Sequence, residues 1–200
     1  MSEIYIDPGN FKKRVQHIQR KLSDAAIFNN TQSLLIVIGA NDEGNPYQKS
    51  TVLHNWLLGY QFPATALLIT KQRVIFVTSG PKARHLSGVK SPNVLIWTRN
   101  KDPEHNKKLF ENLVEEIKSA GDKVGVLTKD KFEGKFVDEW NSVWSKEEDA
   151  ITTVDIGAGL SQVMEVKDDE EIRYTRLACR ASSIMLDYFS DEIVTIVDEE

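Results

Sequence analysis

Six short apolar runs recur along this chain: SLLIVIGA (33–40), ATALLIT (64–70), RVIFVTS (73–79), NVLIWT (93–98), KVGVLT (123–128) and ITTVDI (151–156). Nearly all are set between stretches of helical periodicity. Alternation of this kind restricts the chain to an α/β fold, a mixed β-sheet flanked by helices. Only Lys71-Gln72 separates the second run from the third, a connection short enough for antiparallel neighbours. SLLIVIGA is apolar throughout and closed by glycine, as expected of a buried central strand.

The intervening segments carry helix signals. Asp7-Pro8 supplies a capping carboxylate and a first-turn proline, and Phe11, Val15, Ile18 and Leu22 follow as one apolar stripe. PKARHLSG reads as a short helix. Between Pro103 and Ala120, Leu109, Phe110, Leu113, Val114 and Ile117 form the clearest amphipathic pattern, with Gly121 placed to end it. FEGKFVDEWNSVW puts Phe136 and Trp140 on one helical face. From Lys167 a long helix is expected, its first turn acidic from Asp168 to Glu171, carrying Leu177, Ala181, Ile184 and Tyr188 inward.

Charge divides the chain. Up to Met164 there are 21 Lys and Arg against 19 Asp and Glu; from Glu165 onward there are 4 against 11. The acidity thus belongs to the last segment, and the near-neutral body has no basic block that would by itself imply strong phosphate binding. The composition shift near Met164 puts a domain boundary around 165–175. The expected division is residues 1-165 as one lobe and 166-200 as a linker and the first helix of a second. The last residues fall inside an amphipathic pattern with no glycine or proline stop, as if the chain continued. No apolar run approaches the ~18 residues of a membrane span, and MSEIYIDPGN lacks the basic start and apolar block of a signal peptide. One cysteine, Cys179, excludes an internal disulfide and fits a reducing compartment. The sequon at Asn29 is then expected to go unused.

No residue is assigned a catalytic, metal-binding or cofactor-binding role. His17, His54, His85 and His105 show no zinc-ligand spacing. Cys179 lies mid-helix with no base beside it and reads as a buried structural thiol. DIGAGLSQ follows a strand, but Gln162 stands where a dinucleotide fingerprint needs its third glycine; a glycine-rich exit from a strand suffices. In WTRNKDPEHNKK, the basic residues around Trp97 are diluted by Asp102, Glu104 and Glu111, so a solvated loop and helix start is the better reading than a DNA contact.

The segment NPYQKSTVLHNWLLGYQFPATALLIT (45–70) reads as a short core helix, with Val52, Leu53, Trp56 and Leu57 inward, that hands over at Gly59 and Pro63 to a strand. Trp56 is expected in the core. Tyr47, Gln48, Lys49 and His54 have no evident packing role and are the candidate protein-binding residues.

WLLGYQFPATALLITKQRVIFVTS and MEVKDDEEIRYTRLACRAS resemble the N-terminal lobe of creatinase and aminopeptidase P type proteins and the helix leading into their "pita-bread" lobe. More specifically, YQKSTVLHNWLLGY, GKFVDEWN and VDIGAGLSQVMEVKD resemble the N-terminal domain of the large subunit of the FACT histone chaperone in its fungal form, from about Ile4 to the last residue. The resemblance implies a creatinase-like N-terminal lobe followed by the first helix of a truncated peptidase-like lobe. It implies a non-catalytic module, since the peptidases' metal ligands lie in the second lobe and the FACT relatives are taken to lack them. It also implies a nuclear, chromosome-bound protein acting in transcription, replication and DNA repair. Its partners would be core histones and nucleosomes, the smaller HMG-associated FACT subunit through regions outside this chain, and replication factors. No membrane contact or direct DNA binding by this piece is expected. The competing readings are the N-terminal lobe of an active aminopeptidase P-type metallopeptidase and a free-standing scaffold domain.

Overall fold

The computed structural model describes residues 5–22, 24–40, 47–147 and 149–198. Asn45 and Pro46 of the 45–70 segment lie outside them. Met1–Val163 form one compact unit and Met164–Glu200 another.

The first unit is built on one six-stranded sheet with the order β4-β3-β2-β1-β5-β6. Its strands are β1 (Ser33–Ile38), β2 (Thr65–Thr70), β3 (Val74–Ser79), β4 (Val94–Arg99), β5 (Lys123–Val126) and β6 (Thr152–Asp155). All six follow the apolar runs of the sequence. β1, β2 and β3 pair antiparallel, and the outer strands add in parallel, β4 on β3 and then β5 and β6 beyond β1. The sheet is therefore mixed, with β1 and β2 wholly inside it.

Helix α1 (Pro8–Lys21) starts as its sequence requires. Asp7 accepts from the backbone N–H of Gly9 and Asn10, and Phe11, Val15, Ile18 and Leu22 are buried. A four-residue helix, α2 (Ala25–Phe28), follows Asp24, and α4 (Gly80–Leu86) connects β3 to β4. Helix α5 (Pro103–Ala120) buries Phe110, Leu113, Val114 and Ile117 under the cap of Asp102 and stops at Gly121, whose φ is 148°. It packs against α6 (Lys135–Trp144) through an aromatic cluster. Phe110 meets Phe136 and Trp140 edge-on at 5.5 and 5.7 Å, and Trp140 stacks on Trp144 at 5.3 Å. Arg99, which the sequence placed in a solvated loop, belongs to this cluster. Its guanidinium pairs with Glu139 and lies 4.7 Å above the Phe136 ring.

Helix α7 (Gly157–Val163) occupies the stretch expected to be a simple strand exit. Its Gly159 is a packing device. A Cβ on Gly159 would sit 2.2 Å from the Ile27 carbonyl oxygen and 2.8 Å from the Phe28 ring, so only glycine lets α7 lie this close to α2.

Helix α3 (Lys49–Leu58) ends at Gly59, which takes the left-handed conformation at φ 75°. Its inward face is not the expected one. Leu53, His54, Leu57 and Leu58 are buried, whereas Val52 is exposed and Trp56 half-buried. Trp56 lies at the α1 boundary, where the Arg14 guanidinium stacks 5.3 Å over its ring and donates to its carbonyl. A small polar stripe of Ser50 and Thr51 is buried beside the leucines, which turns the helix away from the orientation that Trp56 at the centre would need.

In the second unit, α8 (Asp169–Asp198) opens with a reciprocal cap: Asp168 accepts from Glu171 N–H at 2.9 Å and Glu171 accepts from Asp168 N–H at 3.1 Å. Leu177, Ile184 and Tyr188 do not point inward as expected; they are exposed, as is Cys179, which is no buried structural thiol. A helix buries its apolar side chains only against another surface, and among the described residues α8 buries none.

Two substitutions check this packing. Trp140→Ala should cost about 3–5 kcal/mol in urea unfolding, the range for a buried large aromatic, and Trp56→Ala clearly less. Gly159→Ala should cost about 1–3 kcal/mol, because α7 must move off α2 to seat the methyl.

Candidate functional site

Three of the four candidate residues come together. Tyr47, Gln48 and Lys49 line a cleft of about 500 Å³ with Leu127, Lys129, Asp130, Asp155, Gly157 and Ala158. The topology explains the meeting. β5 and β6 run parallel and end side by side, so Leu127 and Asp155 leave the sheet at one edge, where the first turns of α3 and α7 also begin. Tyr47 is 86% exposed, while Gln48 and Lys49 are half-buried.

Two carboxylates that the sequence did not single out hold this arrangement. Asp130 accepts the Ser50 N–H at 2.7 Å, capping α3 where the Gln48 side chain does not. Asp155 accepts the Thr128 N–H at 3.3 Å. Each retains lone pairs for an incoming donor. Lys49 crosses from α3 to α7 and donates to the Ser161 hydroxyl, which itself donates to the Gly157 carbonyl at 3.1 Å. Ser161 thus spends its proton on a backbone oxygen next to a donating ammonium, an arrangement that fastens helices and does not activate a nucleophile. Among the described residues, no group of three or more His, Cys, Asp or Glu side chains is placed to hold a metal ion. Nor is any described helix long and apolar enough to cross a membrane.

The cleft continues past Leu127 and Asp130 into a larger hollow of about 720 Å³ under the 127–133 loop, walled by Val37, Phe132, Trp140 and Trp144. The Ser50 hydroxyl borders it, buried and without a hydrogen-bond partner. Together the two hollows form one groove with a charged end and an aromatic end.

His54 is not part of it. The ring is 0% exposed, accepts the Phe62 N–H on Nδ1 at 3.4 Å and leaves Nε2 without a partner. It cannot contact another protein, and its role is to tie α3 to the chain entering β2. The missed signal was register: His54 lies one residue from Leu53 and three from Leu57, both on the buried face.

Burial of His54 also has a pH consequence. Desolvation pushes its pKa from 6.5 down to about 3. The unfolded chain takes up this proton below pH 6.5 and the folded chain does not. The contribution to stability is therefore full above pH 6.5 and is lost as pH falls towards 3, at about 1.4 kcal/mol per pH unit. Between pH 7 and 5 the native chain should lose about 2 kcal/mol more than a His54→Gln variant in urea unfolding, a difference that His17, common to both proteins, leaves untouched. Equal losses would place the His54 ring in contact with water.

The profile of the FACT complex subunit SPT16 N-terminal lobe domain matches residues 6–159. Among curated relatives, the FACT complex subunit SPT16 of Candida glabrata is 44% identical over 211 residues, covering 100% of this chain and 20% of its own length. That of Saccharomyces cerevisiae is 43% identical with the same coverage. The chain thus spans about a fifth of these relatives. Among solved structures, the N-terminal domain of FACT complex subunit SPT16 from Eremothecium gossypii superposes with a TM-score of 0.89 at 38% identity, covering 99% of this chain and 47% of that one. A Xaa-Pro dipeptidase from Bacillus anthracis has a TM-score of 0.54 at 16% identity, covering 90% and 44%, a likeness of fold alone. The family profile over residues 6–159 and the match along the whole of this chain to the fungal subunits agree: this chain belongs to the family of FACT complex subunit SPT16 N-terminal lobe domains.

Proposed function

We propose that this chain is a non-catalytic module of a histone chaperone. It would engage core histones while the parent complex reorganises nucleosomes in transcription, replication and DNA repair, in the nucleus and on chromosomes. The observation that carries the reading is the 44% identity to a FACT complex subunit along the whole chain. The smaller HMG-associated subunit and replication factors would be met by the parent protein, the former through regions outside this chain. Within the lobe, the contact we assign is the exposed end of the groove. Tyr47, Gln48 and Lys49 form its rim, and Asp130 and Asp155 offer acceptors to the lysines and arginines of a histone. Mixed charge at this rim, with Lys49 and Lys129 beside the two acids, makes the contact a weak one that depends on shape.

Residues 166-200 would open a second, peptidase-like lobe. Support comes from the apolar side chains that α8 leaves exposed, and from the E. gossypii domain, of which this chain covers 47%. A metallopeptidase reading rests only on the distant fold likeness to the dipeptidase.

Titration of labelled core histones at about 0.15 M salt should give weak saturable binding. Changing Tyr47, Gln48 and Lys49 together to alanine should reduce it. Binding that the triple variant leaves intact removes the groove rim from the reading. X-Pro peptide cleavage with manganese or cobalt, abolished by a chelator, would remove the non-catalytic assignment.

A further inference from the structure

Helix α1 carries five cations, Lys12, Lys13, Arg14, Arg20 and Lys21, and no acidic residue falls between Pro8 and Leu22. Because Phe11, Val15, Ile18 and Leu22 take the inward side, Lys12, Lys13, Arg20 and Lys21 are left to the outward side and its edges, while Arg14 turns to Trp56. Lys12, Lys13 and Arg20 are exposed and Lys21 half-exposed. On α5 and α6, by contrast, several cations stand beside carboxylates: Lys107 with Glu111, Lys118 with Glu115 and Glu147, Lys135 with Glu139. Among the described residues Lys12, Lys13, Arg20 and Lys21 enter no such pair. A chain of net charge −5 thus concentrates unneutralised positive charge along one helix about 21 Å long.

The field of this stripe is felt inside it. His17 titrates below its ordinary value, first because it is partly buried and then because Arg20 and Lys21 lie close. The two flanks of α1 differ. On one, Lys12 shares a hollow of about 390 Å³ with Lys90, Gln16, Gln19 and Gln72. On the other stands α3, where Arg14 stacks on Trp56; Val52 on the same helix is 40% exposed, and Tyr60 just beyond it is 38% exposed.

From this juxtaposition we infer that the α1 face docks an acidic polypeptide segment of a partner protein, one rich in Asp and Glu and carrying a few large apolar side chains. Carboxylates complement the cation stripe, and the apolar side chains cover Val52, Trp56 and Tyr60. Duplex DNA fits less well. Non-specific DNA binding grows with the number of phosphates neutralised, and with Arg14 engaged by Trp56 the helix offers only four cations to meet them. The chain's net negative charge opposes so dense a polyanion, and the apolar flank offers phosphates nothing. Core histones, being basic, are repelled by this face, so the inference stands apart from the histone reading.

The test is an NMR titration of the labelled chain, at about 0.05 M salt, with a short synthetic peptide of Asp, Glu and Phe. Controls are the same peptide with Asn and Gln in place of the acids, and a duplex DNA of matched charge. Saturable shifts are expected on α1 and residues 52–60 with the acidic peptide alone. The His17 pKa should rise on binding, since a neighbouring anion favours the imidazolium. Lys12→Glu, Lys13→Glu and Arg20→Glu combined should weaken binding about tenfold or more, and the milder change of all three to Gln by less, with thermal melts unchanged. No saturable binding, binding indifferent to these substitutions, or a static His17 pKa overturns the proposal. Tighter binding of the duplex through the same residues assigns the face to nucleic acid and overturns it equally.

Discussion

The join between β1 and β5 is the contact on which the rest of the lobe depends. The antiparallel β1-β2-β3 meander could exist without it; the mixed sheet, the groove and α7 could not. The pairing is short, with Ser33 opposite Val124 and Leu34 opposite Gly125. It is reinforced by Gln32, whose N–H donates to the Lys123 carbonyl at 3.0 Å and whose side-chain oxygen accepts the Lys123 N–H at 2.9 Å. Gly125 lets it close. A Cβ there would lie 2.4 Å from Ile156 and 2.7 Å from Leu34, so the side chains of two other segments fill the space a larger residue would need. Once β5 is fixed, β6 follows in register and both strands release their loops at the same edge. That edge is where the groove forms.

The two charged surfaces of the lobe arise differently. The groove rim is a product of topology. Asp130 reaches Ser50 across 80 residues of sequence, and Lys49 reaches Ser161 across 112. Its acids and bases largely satisfy the fold and leave modest capacity for a partner. The α1 face is a product of local periodicity, and apart from Arg14 on Trp56 and Arg20, which donates to the Gln16 carbonyl within the helix, its cations are little used by the fold. Charge that the fold does not use is available to something else, and this distinction separates the α1 face from the ion pairs of α5 and α6.

Much of the scaffold was legible because long segments repeat a period. α1, α5 and α6 each place an apolar stripe at helical spacing, and the six strands are apolar runs between turn residues. α2 and α7 were not legible: four and seven residues give too few turns to show a period. The face of α3 was misread by about one residue because the indole of Trp56 outweighed the register set by Leu53, Leu57 and Leu58. That shift moved His54 from an apparent surface position to the interior. The same logic failed for α8, where periodicity marks an apolar face but does not say what covers it. Of the candidate site, Tyr47, Gln48 and Lys49 stood out for want of a packing role. Asp130 and Asp155 did not, because nothing local distinguishes them from other loop acids and only the pairing of β5 with β6 brings them near.

The reciprocal cap of Asp168 and Glu171 means that α8 carries its starting point within four residues. The start of its apolar face is thereby tied to a strictly local signal, and from that point the 3.6-residue period alone fixes the directions of Leu177, Ile184 and Tyr188 relative to one another. The α1 face and the α8 face thus share an origin in local sequence, one written in charge and the other in apolar side chains.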